Sequence, residues 1–200
     1  MVDLKHIHPG FKSVGEASQQ IFRLTMQAFS RPGDLQIMED YISSTPYSSS
    51  AAIQILLAML DSETSLMISN GAMSKELNTY LRFHTACNLT QQMNAAQFAY
   101  FNAGENMPQL SEMVIGSDEY PDQGATILIE VAELTVGTST GLMISGPGIK
   151  DPKRIDVSGV SPTFWQERQA LQKEFPKGVD ILFCRGLEFI GLPRSTKLDI

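Results

Sequence analysis

The chain has 200 residues, 42% hydrophobic and 18% charged, a balance that fits one compact domain and excludes disordered and fibrous classes. Its net charge of -7, from 22 acidic and 15 basic side chains, disfavours nonspecific binding to nucleic acid or to an anionic membrane. The first residues carry Asp3, Lys5, His6 and His8 and do not read as a signal peptide, and the longest mainly apolar run, residues 51–60, is too short for a membrane span.

Ser13 and Glu16 have the spacing of a capping box, and Val14, Ala17, Ile21, Leu24 and Ala28 recur at helical spacing, so a first helix is predicted that stops at Arg31-Pro32-Gly33. A serine-rich connector over residues 43–50 leads into a second helix over 51–60, with residues 48–50 available to cap it. Residues 65–69 read as a short buried strand, and Asn70-Gly71 turns the chain into a helix over about 75–87. A strand follows at 97–101 and a short helix near 108–113. The plainest β signal is 125–131, entered from the turn residues Pro121, Asp122 and Gly124, with a second strand at 142–145 expected to pair with it across residues 137–141.

Ser161-Pro162 offers an N-cap and a first-turn proline for a helix carrying Phe164, Trp165, Arg168 and Leu171 to about Phe175. Residues 179–184 and 187–192 then read as two strands joined through Arg185-Gly186 in a hairpin. The pattern predicts a single α/β domain with a mixed sheet flanked by helices, spanning 13–200 after an N-terminal extension of residues 1–12. Cys87 and Cys184 stand in no paired spacing, so a reducing cytoplasm is the simplest home.

The candidate chemistry falls in a few places. Arg82, His84 and Thr85 could bind an oxyanion or present an acid–base histidine, but His84 shares a helix face with Leu77 and Leu81, and Arg82 projects roughly 200° away, so a hydrogen-bonded core or interface histidine is expected. Gly146-Pro147-Gly148-Ile149-Lys150 follows a strand as phosphate-cradling loops do; it lacks P-loop spacing, and a structural turn competes. Arg194, Ser195, Thr196 and Lys197 could clamp a phosphate at the exit of the last predicted strand, or meet a partner. Asp180 would be costly to bury alone and is expected to pair with Arg194 or Arg168.

Cys184 opposite His84 would make a hydrolase, yet packing is the expected role of a cysteine in an apolar strand. His6 and His8 lack further ligands nearby, and no metal is expected. No Gly-x-Ser-x-Gly elbow is present, and no catalytic residues are assigned.

Taken in order, the landmarks Phe22-Arg23-Leu24-x-Met26-x-Ala28-x-Ser30-x-Pro32-Gly33, Leu81-Arg82-Phe83-His84-Thr85, Pro121-Asp122-Gln123-Gly124-Ala125-Thr126, Gly146-Pro147-Gly148-Ile149, Phe175-Pro176-x-Gly178-x-Asp180 and Pro193-Arg194-Ser195-Thr196 resemble the H subunit of the bacterial carbon–phosphorus lyase core complex, the PhnH family. The resemblance implies a fold related to type I pyridoxal-phosphate-dependent transferases without the cofactor. It further implies a cytoplasmic homodimer that joins G, I and J subunits in phosphonate breakdown. That pathway's step displaces adenine from ATP with a phosphonate, giving a ribose 1-phosphonate 5-triphosphate (ribose 1-methylphosphonate 5-triphosphate synthase). The I subunit is the catalytic member, and this chain would be accessory, stabilising the assembly or helping to hold a phosphorylated ligand. The alternatives are a stand-alone small-molecule transferase and a nucleotide-binding regulator that uses residues 146–150 and Arg194.

Overall fold

The computed structural model describes residues 7–42, 46, 50–69, 74–103, 107 and 109–199. The predicted turn at Asn70-Gly71, together with His6, Ser48, Ser49 and Pro108, lies outside the described residues.

Helix α1, Val14–Ser30, buries Ala17, Ile21, Thr25 and Ala28. Ser13 occupies the cap position with extended backbone, but its side chain makes no capping hydrogen bond, so the expected capping box does not close. Val14 is 66% exposed rather than core-facing, because the buried stripe begins one turn later at Ala17. After the two-residue strand β1, Gln36–Ile37, comes α2, Ala51–Met59, where Ser50 Oγ accepts from the Ile53 N–H as a predicted cap should.

Strand β2 (Ser65–Ile68), helix α3 (Ser74–Thr85) and strand β3 (Asn88–Leu89) form the first crossover, and β4 (Phe98–Asn102) and β5 (Thr126–Glu130) follow close to their predicted limits. The short helix expected near 108–113 is a single 3-10 turn, Leu110–Glu112. Three strands then follow, β6 (Leu134–Val136), β7 (Leu142–Ser145) and β8 (Lys153–Val157), of which only β7 is predicted from sequence.

Helix α4, Pro162–Ala170, opens as predicted, with Ser161 Oγ accepting from the Phe164 N–H, but its α-helical part stops at Ala170 and continues as 3-10 turns over Leu171–Glu174. Strands β9 (Asp180–Arg185) and β10 (Glu188–Leu192) pair antiparallel with Glu188 opposite Arg185, so the hairpin turn is Gly186-Leu187 rather than Arg185-Gly186. The chain closes on β11, Lys197–Asp199.

The architecture is α/β with two sheets. A seven-stranded mixed sheet runs β1-β10-β9-β5-β4-β2-β3, with β9, β5, β4, β2 and β3 parallel to one another and β10 antiparallel to both β9 and β1. A four-stranded antiparallel sheet runs β11-β7-β8-β6. Strand β7 therefore pairs with β8 and β11 and not with β5 as expected: residues 131–160 fold into a separate layer before the chain returns to the main sheet at β9.

The seven-stranded sheet is the wall between two cores, because successive residues of a strand face opposite sides. Tyr100, Leu128, Leu182 and Cys184 point into the core covered by α1, α2 and α3. Phe101, Ile127, Ile129, Ile181 and Phe183 point into the core shared with the second sheet and α4 through Ile144, Ile155 and Phe164. Residues 7–12 run against the first core: Ile7 and Phe11 pack on it, and Tyr80 Oη donates to the Pro9 carbonyl at 3.0 Å.

Candidate functional site

The geometry is organised around Arg194, which leaves β10 and turns back under the start of β9. Its Nε lies 3.2 Å from both Asp180 carboxylate oxygens and its Nη2 2.6 Å from Oδ2, while the Arg194 backbone N–H donates to Oδ1 at 2.8 Å. Nη1 donates to the Pro121 carbonyl. The two side chains are 15% and 21% exposed, so the ion pair is largely withdrawn from water. A Cβ on Gly124 would fall 2.1 Å from the Gly178 carbonyl oxygen and 2.9 Å from Nη1, and one on Gly178 would fall 3.0 Å from the Arg194 Cβ; the glycines let the two segments close on each other and on this side chain. Three separated sequence landmarks, at 121–126, 175–180 and 193–196, thus meet on one guanidinium.

A second arginine lies beside the first. Arg168 projects from α4 and is 1% exposed, the largest fully buried side chain among the described residues. Its Nη2 donates to the carbonyls of Pro193 at 2.8 Å and Thr196 at 3.2 Å, fixing the loop that carries Arg194. Burial lowers its pKa to about 10 against the attraction of Asp180, with Arg194 adding a smaller repulsion, so it remains cationic at neutral pH. Arg168 Nε, Gln172 Nε2 and Thr196 Oγ1 are buried without a hydrogen-bond partner among the described residues. Such atoms cost about 1–3 kcal/mol each when left unsatisfied.

Against this cluster stands a cavity of about 720 Å³, walled by α4 and its 3-10 extension on one side and by Gly146, Pro147, Arg194, Ser195 and Lys197 on the other. The structure therefore brings Gly146, Arg194 and Ser195 to one place, with Thr196 fully buried beside them and Asp180 joined through Arg194. Gly148 does not line the cavity: a Cβ there would fall 2.3 Å from the Ser30 carbonyl oxygen and 2.8 Å from Pro32 Cδ, so this glycine admits the end of α1. Residues 193–197 are built into the fold, since Thr196 is 0% exposed and Lys197 opens β11. Sequence reasoning missed Gln166, Gln169, Gln172 and Lys173 as cavity residues. The spacing of three between the glutamines on a predicted helix was the available signal.

Arg82, His84 and Thr85 belong elsewhere. Helix α3 packs on the opposite core from α4, so the main sheet separates this group from the cavity. His84 is exposed at the helix end rather than a core residue, because the buried face of α3 runs out at Leu81. Its Nε2 donates to the His8 carbonyl at 2.9 Å and its ring packs edge-on against Tyr80 and Phe83. Arg82 is exposed, and Thr85 Oγ1 donates to the Leu81 carbonyl at 2.8 Å while accepting from the Cys87 N–H at 3.2 Å, which finishes the helix. This group secures the N-terminal residues to α3.

Cys184 is 0% exposed, and burial, reinforced by the Glu130 charge, pushes its thiol well above the ordinary 9.0. A neutral, enclosed thiol is the opposite of what nucleophilic attack needs, so the pairing of Cys184 with His84 as a hydrolase is not supported. Among the described residues no group of His, Cys, Asp and Glu is gathered to hold a metal, and no helix is long and apolar enough to cross a membrane.

The model of the bacterial phosphonate metabolism protein (PhnH) family matches residues 9–199, nearly the whole chain. The chain belongs to the PhnH family. Among curated relatives, the alpha-D-ribose 1-methylphosphonate 5-triphosphate synthase subunit PhnH of Rhizobium meliloti (strain 1021) is 29% identical over 182 residues, covering 91% of this chain and 90% of the relative. The putative C-P lyase subunit protein HtxG of Stutzerimonas stutzeri is 30% identical over 182 residues, covering 91% and 86%. The PhnH match begins within the N-terminal residues that α3 holds, and it includes both arginines of the buried cluster.

Proposed function

We propose that this PhnH-family chain is an accessory subunit of a carbon–phosphorus lyase system in the cytoplasm, required alongside other subunits when a phosphonate displaces adenine from ATP. The observation that carries the reading is full-length similarity to relatives named as a subunit of ribose 1-methylphosphonate 5-triphosphate synthase and as a C-P lyase subunit. The buried, protonated state of Cys184 supports an accessory rather than an independently hydrolytic role. The proposal includes a homodimer, G-, I- and J-type partners, and a likeness to type I pyridoxal-phosphate transferases without the cofactor.

Co-expression with G-, I- and J-type subunits, with an affinity tag on one partner, tests the role. The chain should co-purify in fixed stoichiometry as a dimer, with no Schiff-base absorbance band. Recovery of the partners without this chain would refute it.

A further inference from the structure

We propose that the cavity between α4 and the loops at 146–147 and 194–197 binds a small organic phosphate or phosphonate of nucleotide size, with its oxyanion at Lys173 and Lys197 and its body against Pro147, Phe175 and the glutamine amides. This deepens the accessory role by giving it a site, and its choice of probes rests on that reading.

The first support is charge. The chain as a whole carries -7, yet among the described residues those lining this cavity include Lys173, Arg194 and Lys197 and no carboxylate. The acidic residues nearest in sequence are turned to other tasks: Glu174 pairs with Lys177 at 3.5 Å, and Asp199 lines a different cavity with Arg154. Behind the wall, Asp180 is taken up by Arg194, and among the described residues Arg168 donates to the carbonyl oxygens of Pro193 and Thr196. The buried cluster of two guanidiniums and one carboxylate therefore keeps an excess of positive charge, which a low-dielectric wall projects into the cavity.

The second support is hydrogen-bonding capacity. Gln166 and Ser195 line the cavity with an amide and a hydroxyl, whereas Gln172 Nε2 and Arg168 Nε are buried behind its wall without a partner among the described residues. The lining amide and hydroxyl can donate, and donors together with excess positive charge select an anion.

The third support is size and surface. About 720 Å³ lies within the range of small-molecule sites, and Pro147, Ala170 and the 59% exposed Phe175 offer apolar faces for a ring. Phosphate recognition and recognition of the whole nucleotide are separable by probe. ATP, inorganic tripolyphosphate, methylphosphonate and adenosine are the probes.

The test is calorimetric titration of the full chain, alone and in the co-purified assembly, with each probe. ATP is expected to bind, tripolyphosphate to bind more weakly and adenosine least. Lys173 and Lys197 are exposed, so the double variant Lys173→Gln/Lys197→Gln should fold normally, and it should weaken ATP binding about tenfold or more through lost charge-assisted contacts. Gln166→Leu, at an exposed lining residue, supplies an independent variant and should also weaken binding. Absence of heat with both ATP and tripolyphosphate overturns the proposal, as does unchanged affinity in the double variant. If wild-type chain binds no probe and the double variant loses co-purification, the cavity is a protein contact and the small-molecule site is refuted, while the subunit role stands.

Discussion

Removing the Asp180 carboxylate is the most direct test of how the site is held together. In Asp180→Ala, Arg194 loses the acceptor for its Nε, Nη2 and backbone N–H, and Arg168 loses the carboxylate that offsets its burial. Breaking a fully buried pair costs about 3–5 kcal/mol, whereas an exposed pair is worth about 0–1. With side chains 15% and 21% exposed, the pair lies toward the buried limit, and a loss of about 3 kcal/mol is expected. For a domain of this size that lowers Tm by about 6–12 °C. Asp180→Asn keeps an oxygen for the Arg194 N–H and should cost about half as much. Asp34→Ala, which removes the Lys153 partner at 47% and 26% exposure, should cost less than about 1 kcal/mol and serves as the comparison. Thermal and urea unfolding followed by circular dichroism measure all of these. A loss in Asp180→Ala no larger than in Asp34→Ala would refute the account of the cluster.

The remaining predictions concern Cys184 and the helix caps. Because the folded thiol is raised above 9.0, its contribution to stability is fully present below that pH and declines as pH rises past it, when the unfolded thiol ionises and the folded one does not. The urea midpoint of wild type should therefore fall above about pH 9 more steeply than that of Cys184→Ala, and parallel profiles would contradict this. Ser50→Ala and Ser161→Ala each remove a capping acceptor and should cost about 1 kcal/mol, whereas Ser13→Ala should be nearly neutral. Equal losses at all three positions in urea melts would show that the caps are misassigned.

Local rules made much of the chain legible. The end of α1 and the starts of α2 and α4 follow from Pro32, Ser50, Ser161 and Pro162, because caps and prolines act within a turn of their own position. Strands β4, β5, β9 and β10 announce themselves as apolar, β-branched or aromatic runs because they are buried on both faces of the central sheet. The second sheet was mostly hidden: β6, β8 and β11 are short and carry Thr135, Lys153, Arg154, Asp156 and Lys197, so only β7 gave a readable signal.

The sequence by itself determined the α/β class, the principal helices and strands, and the six landmarks that mark the family. Only the tertiary structure decided which landmarks touch. It separated Arg82, His84 and Thr85 from the cavity by placing α3 and α4 on opposite faces of the sheet, and it gathered Pro121, Gly124, Gly178 and Asp180 around Arg194. It also gave Asp180 to Arg194 and turned the buried Arg168, the other candidate partner, to the Pro193 and Thr196 carbonyls. The reason is physical: capping and strand propensity depend on neighbours a few residues away, whereas charge pairing and burial depend on contacts between residues far apart in the chain, which are fixed only when the layers pack.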